Sequence, residues 1–434
     1  MWEIEGKLTD NPEFVKEYFN LKYLPMTRSL MDQDLYKLSM GQCYHHQFGQ
    51  LEAEWNFKSR NTGKGKALPE KYTEEDRKEI SNQIRAYCAL RFDPEELKYL
   101  QTRCIWIKPD YIEHLKDWRP HFNQFTIWDD EDTGLGIRFK GVQERVEYYE
   151  IPVLAITDEV YYRNHFDYEK LLKEYKEKTL EKIERMKNED LHFGTWSEFG
   201  ARRRLSFEAQ DWLINLLAET KKQSPKAFEG FIGTSNVMLA KKYGLAPIGT
   251  CAHEFIECVG QGDPSKNPAY SNKFAMDAWV KEYGILNGIW LTDTIGDELC
   301  RRDMKLTYST LFGGVRNDSG DPFKWADNWV EHYKKYKIDP KTKTLLFSNN
   351  INSLEIWDKL CRYTETRAKV AFGIGTFWSG PQTITPLQNV AKVVKVNGMD
   401  VAKLSDDSGK GMCLNPEYVE YLKRAIDWRL KSDL

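Results

Sequence analysis

His253 stands in the run Gly249-Thr250-Cys251-Ala252-His253-Glu254-Phe255, with an acid directly behind it. An imidazole can act as a nucleophile, and Glu254 or another acid could orient it. HEFIE lacks the second histidine of the HExxH zinc pattern, so metal binding is not the reading here. The competing reading is a purely structural histidine.

Three strand-like runs end in turns that could hold phosphate: Gly313-Gly314-Val315-Arg316-Asn317-Asp318-Ser319-Gly320-Asp321, Phe347-Ser348-Asn349-Asn350 and Phe372-Gly373-Ile374-Gly375-Thr376. Glycine lets backbone amides approach an anion, and a following helix start adds partial positive charge. One such turn is usually only a turn; three in succession point to a phosphate-bearing ligand. No GxxxxGK[ST] occurs, so a P-loop is not the nucleotide site, and GKGK at 63–66 reads as a solvated loop. Asp318 and Asp321 flank a small turn suited to sugar hydroxyls or to Mg2+ bound to a diphosphate, with Arg316 as a phosphate fork beside them. The alternative for this DSGD element is a capped turn at a helix start. Arg202-Arg203-Arg204 follow Phe199-Gly200-Ala201, and a guanidinium matches a carboxylate bidentately while Phe199 could stack on a flat ring. That strand end could hold an aromatic acid, with at least one of the three arginines on a solvated face.

The elements that must position these groups follow from apolar periodicity. From Asp32, DLYKLSMGQCYHHQF fits an early amphipathic helix opened by carboxylates, and LEAEWNFKSR alternates like a strand. Residues 73–103 read as charged helices split by Phe92-Asp93-Pro94, and 134–150 as strands. Beyond IPVLAITDEVYYRNHF, short apolar runs (DLHFGTWSEF, FEGFIGTS, APIGTCAHEF, GIWLTDTI, YSTLFGGVRNDS, TLLFSNN, KVAFGIGT) alternate with helical patterns. That alternation predicts a parallel sheet, and so many units favour a closed α/β barrel with ligands at the strand ends. In the tail, Asn397-Gly398 joins two alternating runs as a hairpin, which suits a return to the first domain. The division expected is a mixed α/β domain from 1–150 plus 388–434 and a barrel from 151–387.

The 63 basic and 66 acidic residues leave a net charge of -3, too weak a field to argue for a nucleic-acid partner. Eight scattered cysteines with no CxxC pair suggest reduced thiols rather than a zinc site or disulfide framework. The acidic N-terminal run and the lack of a long apolar stretch suggest a soluble, cytoplasmic protein with no membrane partner.

Taken together, Asp32-Gln33-Asp34-Leu35-Tyr36-Lys37, SEFGARRRLS, GTSN, GTCAHEF, GVRNDSGDP, LFSNN, FGIGT and VAKLSDDSGK resemble the bacterial-type nicotinate phosphoribosyltransferases, in order from about residue 25 to 415. The resemblance implies an irregular α/β barrel joined to a mixed α/β domain built from both chain ends. It implies that nicotinate and phosphoribosyl pyrophosphate form nicotinate mononucleotide, with ATP as co-substrate and Mg2+ carried on the pyrophosphate. His253 would be phosphorylated by ATP, Arg202 would contact the pyridine carboxylate or the phosphate, and Phe199 and Tyr36 would sandwich the ring. Asp318 would hold the ribose hydroxyls, and Arg316, Gly373 and Gly375 the 5-phosphate, with Asp321, Asn349 and Thr376 in the same turns. A homodimer with shared active sites is implied, Asp34 and Tyr36 reaching the partner's pocket. Ser235 stands where the related nicotinamide enzymes carry an acid, which favours an acid substrate. The family pattern has an acid at Asn349 and a different stretch at Phe377–Gly380. Rival readings are a nicotinamide or quinolinate phosphoribosyltransferase, or a non-catalytic phosphate-ligand-binding barrel.

Overall fold

A computed structural model describes residues 11–61, 68–406 and 413–432. The GKGK run and the end of VAKLSDDSGK lie outside the described residues. Chain-local signals set many boundaries. Helices Glu74–Cys88 and Pro94–Arg103 each begin with a capping box, Thr73 with Asp76 and Asp93 with Glu96, so the expected split falls just before Pro94. The helix Leu35–Gln47 forms as expected but is not amphipathic: every residue from Leu35 to Tyr44 is buried. It runs between the two sheets, so no face of its first three turns is left to water. Asp34 occupies its N-cap position yet makes no capping bond.

Strand β1 (Glu52–Ser59) buries Ala53, Trp55 and Phe57 on one face, the period-2 pattern expected of a half-covered strand. Next to it lies β3 (Gly136–Val142), hydrogen-bonded in turn to β2 (Phe125–Trp128). The strand reading of 134–150 holds only to Val142; Gln143–Tyr149 turns helical and leads directly into the helix Glu150–His165. Trp55 Nε1 donates to Gln143 Oε1 at 2.9 Å, and this polar anchor sits where the ladder stops.

The second sheet is parallel: β4 (Thr195–Glu198), β5 (Phe231–Thr234), β6 (Ala246–Pro247), β7 (Ile289–Leu291), β8 (Gly314–Asn317), β9 (Thr344–Phe347) and β10 (Lys369–Ile374). Their order is β6-β5-β4-β10-β9-β8-β7, a curled, incomplete barrel. The expected irregular α/β barrel is thus present, but full closure by strands is not. β6 is two residues long and ends in Pro247, which has no amide to donate onward. The stretch after it approaches β7 instead, with the Cys251 thiol accepting from the backbone of Leu291. Side chains of Ser206, Asn236, Asp321 and Ser353 cap the helices that follow β4, β5, β8 and β9, so all four strand ends open onto one rim.

β11 (Asn389–Val396) and β12 (Met399–Asp400) return to the first sheet, giving the order β12-β11-β1-β3-β2. Asn397 and Gly398 both adopt positive φ, 49° and 78°, as a two-residue hairpin requires. The last helix, Pro416–Ser432, does not follow them: Leu422 and Ile426 pack on Ala269, Ile295 and Leu299, and Arg429 pairs with Asp303. The closing segment is therefore shared between the antiparallel sheet and the barrel side. Among the described residues, no helix is long and apolar enough to cross a membrane.

Candidate active site

His253 opens the helix His253–Gln261 and is buried. Its Nε2 contacts Asp293 Oδ1 at 2.9 Å and lies 3.6 Å from Asp318 Oδ2. Asp293 is the acid that orients it; Glu254, the neighbour in sequence, instead holds Lys37 Nζ at 2.6 Å. A residue one step along a helix points about 100° away, which is why sequence adjacency misled. Burial, with the charge of Lys403, pushes His253 down to about 4, so the ring is neutral near pH 7. Asp293 is held well below the usual carboxylate range: burial opposes this, and His253 and Lys403 outweigh it. With Nε2–H donated to Asp293, Nδ1 is the nitrogen carrying the lone pair.

Asp318 sits just past β8. Its Oδ1 accepts from Ser348 Oγ at 3.0 Å and lies 3.3 Å from Arg316 Nη2, while Lys403 Nζ is 3.8 Å from Oδ2. Burial notwithstanding, Arg316 and Lys403 hold its carboxyl down at about 2. Arg316 also donates to Ser348 Oγ, Thr250 Oγ1 and the carbonyl of Cys251. Its guanidinium is thereby committed to bracing Asp318 and the loop before His253, rather than held out as a phosphate fork. Asp321 is corrected likewise. It is exposed, and its carboxylate accepts from Phe323 N and Lys324 N at the start of Pro322–Lys335, the capped-turn alternative for that half of DSGD. Asn349 reaches back to the carbonyl of Gly320, tying the LFSNN turn to the DSGD turn.

On the other side of the rim, Arg202 is about a third exposed, with Nη1 3.3 Å from Glu150 Oε1 and Nε 3.8 Å from Asp34 Oδ2. The guanidinium faces acids without a tight bidentate pair, so its fork is open to a ligand carboxylate. Arg203 donates to Gln388, and Arg204 is buried, bound through both Nη1 and Nη2 to Asp32. Only the first of the three arginines thus faces the site, and Arg204 is a core ion pair, not a solvated cation.

Asp34 accepts from Ser235 Oγ at 2.5 Å, and Leu35 N donates to the Ser235 carbonyl at 2.9 Å. Burial raises the Asp34 pKa, with Arg202 opposing. Asp34 and Tyr36, which the resemblance sends to a partner's pocket, are here buried in this chain's own pocket. Tyr36 is buried, and its hydroxyl works with Ser235 to oppose the effect of burial on Asp34. Beneath it, Lys37 Nζ bridges Glu150 (2.7 Å) and Glu254 (2.6 Å); burial alone would lower its pKa, but the two acids raise it. The Phe199 ring lies directly over Gly373, where an added Cβ would come within 2.4 Å of it, and Gly375 faces the Phe199 carbonyl. Both glycines are therefore required for Phe199 to approach the strand end. Gly375 and Thr376 open a single helical turn, Thr376–Ser379.

Asp293, Lys403, Lys37 and Glu150 escaped sequence reasoning. Asp293 alone left a signal, an acid just past a strand in GIWLTDTI. The two sides of the rim form one field, since Arg202 is acted on by both Asp34 and Asp318. His253, Asp293 and Asp318 could in principle meet one cation, but Lys403 and Arg316 already neutralise the two carboxylates. A Mg2+ ion prefers an octahedron of oxygens, so this set does not fit a resident Mg2+.

Comparison with known proteins gives the family. Residues 31–158 match the nicotinate phosphoribosyltransferase N-terminal domain model, and residues 195–429 match the nicotinate phosphoribosyltransferase family model. The nicotinate phosphoribosyltransferase of Chromobacterium violaceum is 36% identical over 413 residues, covering 93% of this chain and 98% of that one. The Acinetobacter baylyi protein of the same name is 37% identical over 412 residues, with 94% and 98% covered. The crystal structure of nicotinate phosphoribosyltransferase from Porphyromonas gingivalis superposes with a TM-score of 0.81 at 32% identity, covering 92% of this chain and all of that one. With both family models matched in order and the similarity running nearly end to end, this chain belongs to the nicotinate phosphoribosyltransferase family.

Proposed function

We propose that the protein joins nicotinate to 5-phosphoribosyl 1-pyrophosphate, releasing nicotinate mononucleotide and pyrophosphate, with ATP hydrolysed to ADP and phosphate alongside. This is the first step by which nicotinic acid is returned to NAD. The observation that carries the reading is the gathering of Arg202, Ser235, His253 and Asp318 on one rim, from four separate parts of the chain.

The pyridine nitrogen displaces pyrophosphate at the anomeric carbon through a cation-like transition state, so catalysis rests on positioning and electrostatics. Arg202 receives the nicotinate carboxylate, and the Phe199 and Tyr36 rings bound the pyridine. Asp318, ionised at all working pH, faces the ribose, where its charge favours the developing cation. Mg2+ would be carried as part of the diphosphate substrate, neutralising its charge, rather than held by residues of this chain. Neutral His253 attacks the γ-phosphorus of ATP through Nδ1, the bond to ADP breaks, and water later hydrolyses the phosphohistidine. Lys403, 3.3 Å from Asp293, offsets negative charge arriving there. The eight free thiols support a reducing, cytoplasmic setting. A homodimer belongs to the same proposal, and sedimentation tests it; Asp34 and Tyr36 serve their own chain.

The test is formation of nicotinate mononucleotide from nicotinate, phosphoribosyl pyrophosphate and Mg2+, with and without ATP, beside nicotinamide and quinolinate as rival pyridines. His253→Ala should remove the gain from ATP and leave slow transfer. No product from nicotinate, or full ATP coupling in His253→Ala, overturns the reading.

A further inference from the structure

Away from the active-site rim, three side chains from three separate elements converge. His45 comes from the end of Leu35–Gln47, His114 from the helix Pro109–Asp117, and Glu144 from the short helix Gln143–Val146. One ligand atom from each lies within 4.8 Å of the others. His114 Nε2 contacts Glu144 Oε1 at 2.8 Å, and the His45 and His114 rings stack with centroids 4.0 Å apart. Glu144 is almost fully buried, while His114 is about a quarter exposed, so the group opens to solvent on one side.

An ordinary histidine–carboxylate pair explains His114 and Glu144 but leaves His45 unaccounted for. Among the described residues neither ring nitrogen of His45 has a hydrogen-bond partner, although its ring is held face to face with His114. Stacked 4.0 Å apart, the two rings bring a ring nitrogen of each close to the Glu144 carboxylate. The neighbouring His46 is engaged elsewhere, with Glu282 at 2.8 Å and Asp110 at 3.3 Å, so the triad is distinct from that ion-pair cluster. We propose that His45, His114 and Glu144 form a binding site for a divalent transition-metal ion of the Zn2+ class, with solvent completing the coordination.

Two imidazoles and one carboxylate are a donor set that suits Zn2+ and Co2+ and is a poor match for Mg2+. Metal–ligand bonds of about 2.0–2.2 Å place tetrahedral ligands about 3.3 Å apart. To ligate one ion the two rings must rotate out of their 29° stack so that both ring planes meet at the metal, with His45 closing in and the 2.8 Å pair opening slightly. The ion would fasten the far end of the helix that presents Tyr36, about 14 Å away along the axis. It would also fasten the segment that runs on into Glu150, the acid facing Arg202. Its effect is thus a clamp on the scaffold of the pocket, and the proposal does not depend on which pyridine the pocket takes.

The test uses chelator-treated full-length protein titrated with CoCl2, reading the visible bands of low-symmetry Co2+, followed by displacement with ZnCl2. One equivalent should bind with a Kd below about 10 µM, and Zn2+ should raise Tm. His45→Gln, His114→Gln and Glu144→Gln should each weaken binding at least about tenfold. His46→Gln and Cys361→Ser, which spare the triad, should leave it unchanged. The nearly isosteric Glu144→Gln, checked by circular dichroism, guards against misfolding of a histidine variant. Absence of binding below about 1 mM, or binding unaffected by the three triad substitutions, overturns the proposal.

Discussion

Asp293 holds His253 from one side only: Oδ1 takes the Nε2 contact at 2.9 Å, while Oδ2 accepts from Ser319 Oγ at 2.6 Å and faces Lys403 Nζ at 3.3 Å. The carboxylate is thereby fixed in position and charge, and it dictates which ring nitrogen carries the proton. Asp293→Asn can present an amide N–H to Nε2 and force the proton onto Nδ1, the wrong tautomer for attack on phosphorus. The expected result is a loss of about 10²–10⁴-fold in phosphohistidine formation, read with labelled ATP as an acid-labile phosphoprotein. Transfer without ATP should fall far less. Equal losses in both assays would mean that Asp293 acts on the ribose step instead.

A hydroxyl at Ser235 donates to Asp34, so an acid already lies one hydrogen bond behind Ser235. Arg202, 3.8 Å from Asp34, balances that acid. Ser235→Asp would place a second carboxylate beside the first and against an incoming nicotinate. Close like charges cost about 1–4 kcal/mol at surface-like dielectric, so kcat/KM for nicotinate should drop several-fold to several-hundred-fold relative to nicotinamide. An unchanged ratio would put the pyridine carboxylate somewhere other than beside Ser235.

Gly373 is the position over which the Phe199 ring lies. A methyl group there would stand 2.4 Å from two ring atoms, so Gly373→Ala must displace the ring or the strand end. Overpacking of this kind costs about 1–3 kcal/mol, visible as a lower Tm. On the proposal that Phe199 bounds the pyridine, KM for nicotinate should rise more than KM for phosphoribosyl pyrophosphate. A melting curve and nicotinate KM both equal to wild type would remove Phe199 from the ring pocket.

What the sequence revealed and what it hid divide by the range of the interaction. The Asn397-Gly398 turn and the helix split at Phe92-Asp93-Pro94 form as expected, because each depends on residues only a few positions apart; the capping boxes at Thr73 and Asp93 are equally local. The strand ends carrying Asp318 and Phe199 were legible because each sits beside a turn. Arg202, Arg203 and Arg204 could not be told apart by sequence, since their fates are set by Glu150, Gln388 and Asp32, up to 185 residues away. Lys403 reaches Asp293 from the closing hairpin, 110 residues along by numbering, and no local pattern marks it. Asp321 looked equivalent to Asp318, and only the helix direction after it shows that its carboxylate is taken up by backbone amides.

Away from the pocket, Asp158 offers a pH test of the core that joins the two sheets. It lies on Glu150–His165, fully buried, with Oδ1 accepting from Asn389 Nδ2 of β11 at 2.7 Å and Oδ2 without a partner among the described residues. Burial, only partly opposed by Asn389 and Arg203, raises its pKa to about 8, against about 3.9 in the unfolded chain. Between those values the folded protein holds one proton more than the unfolded one, so this group's contribution is fully present below pH 4 and is lost as pH rises through about 8. Asp158→Asn keeps an acceptor for Asn389 and abolishes the titration. The variant should match wild type near pH 4–5 and exceed it by about 1–3 kcal/mol at pH 8–9, with about 1.4 kcal/mol per pH unit as the ceiling on the slope. Denaturant titrations of both proteins across that range decide the matter, and parallel stability curves would show that Asp158 is ionised in the folded state.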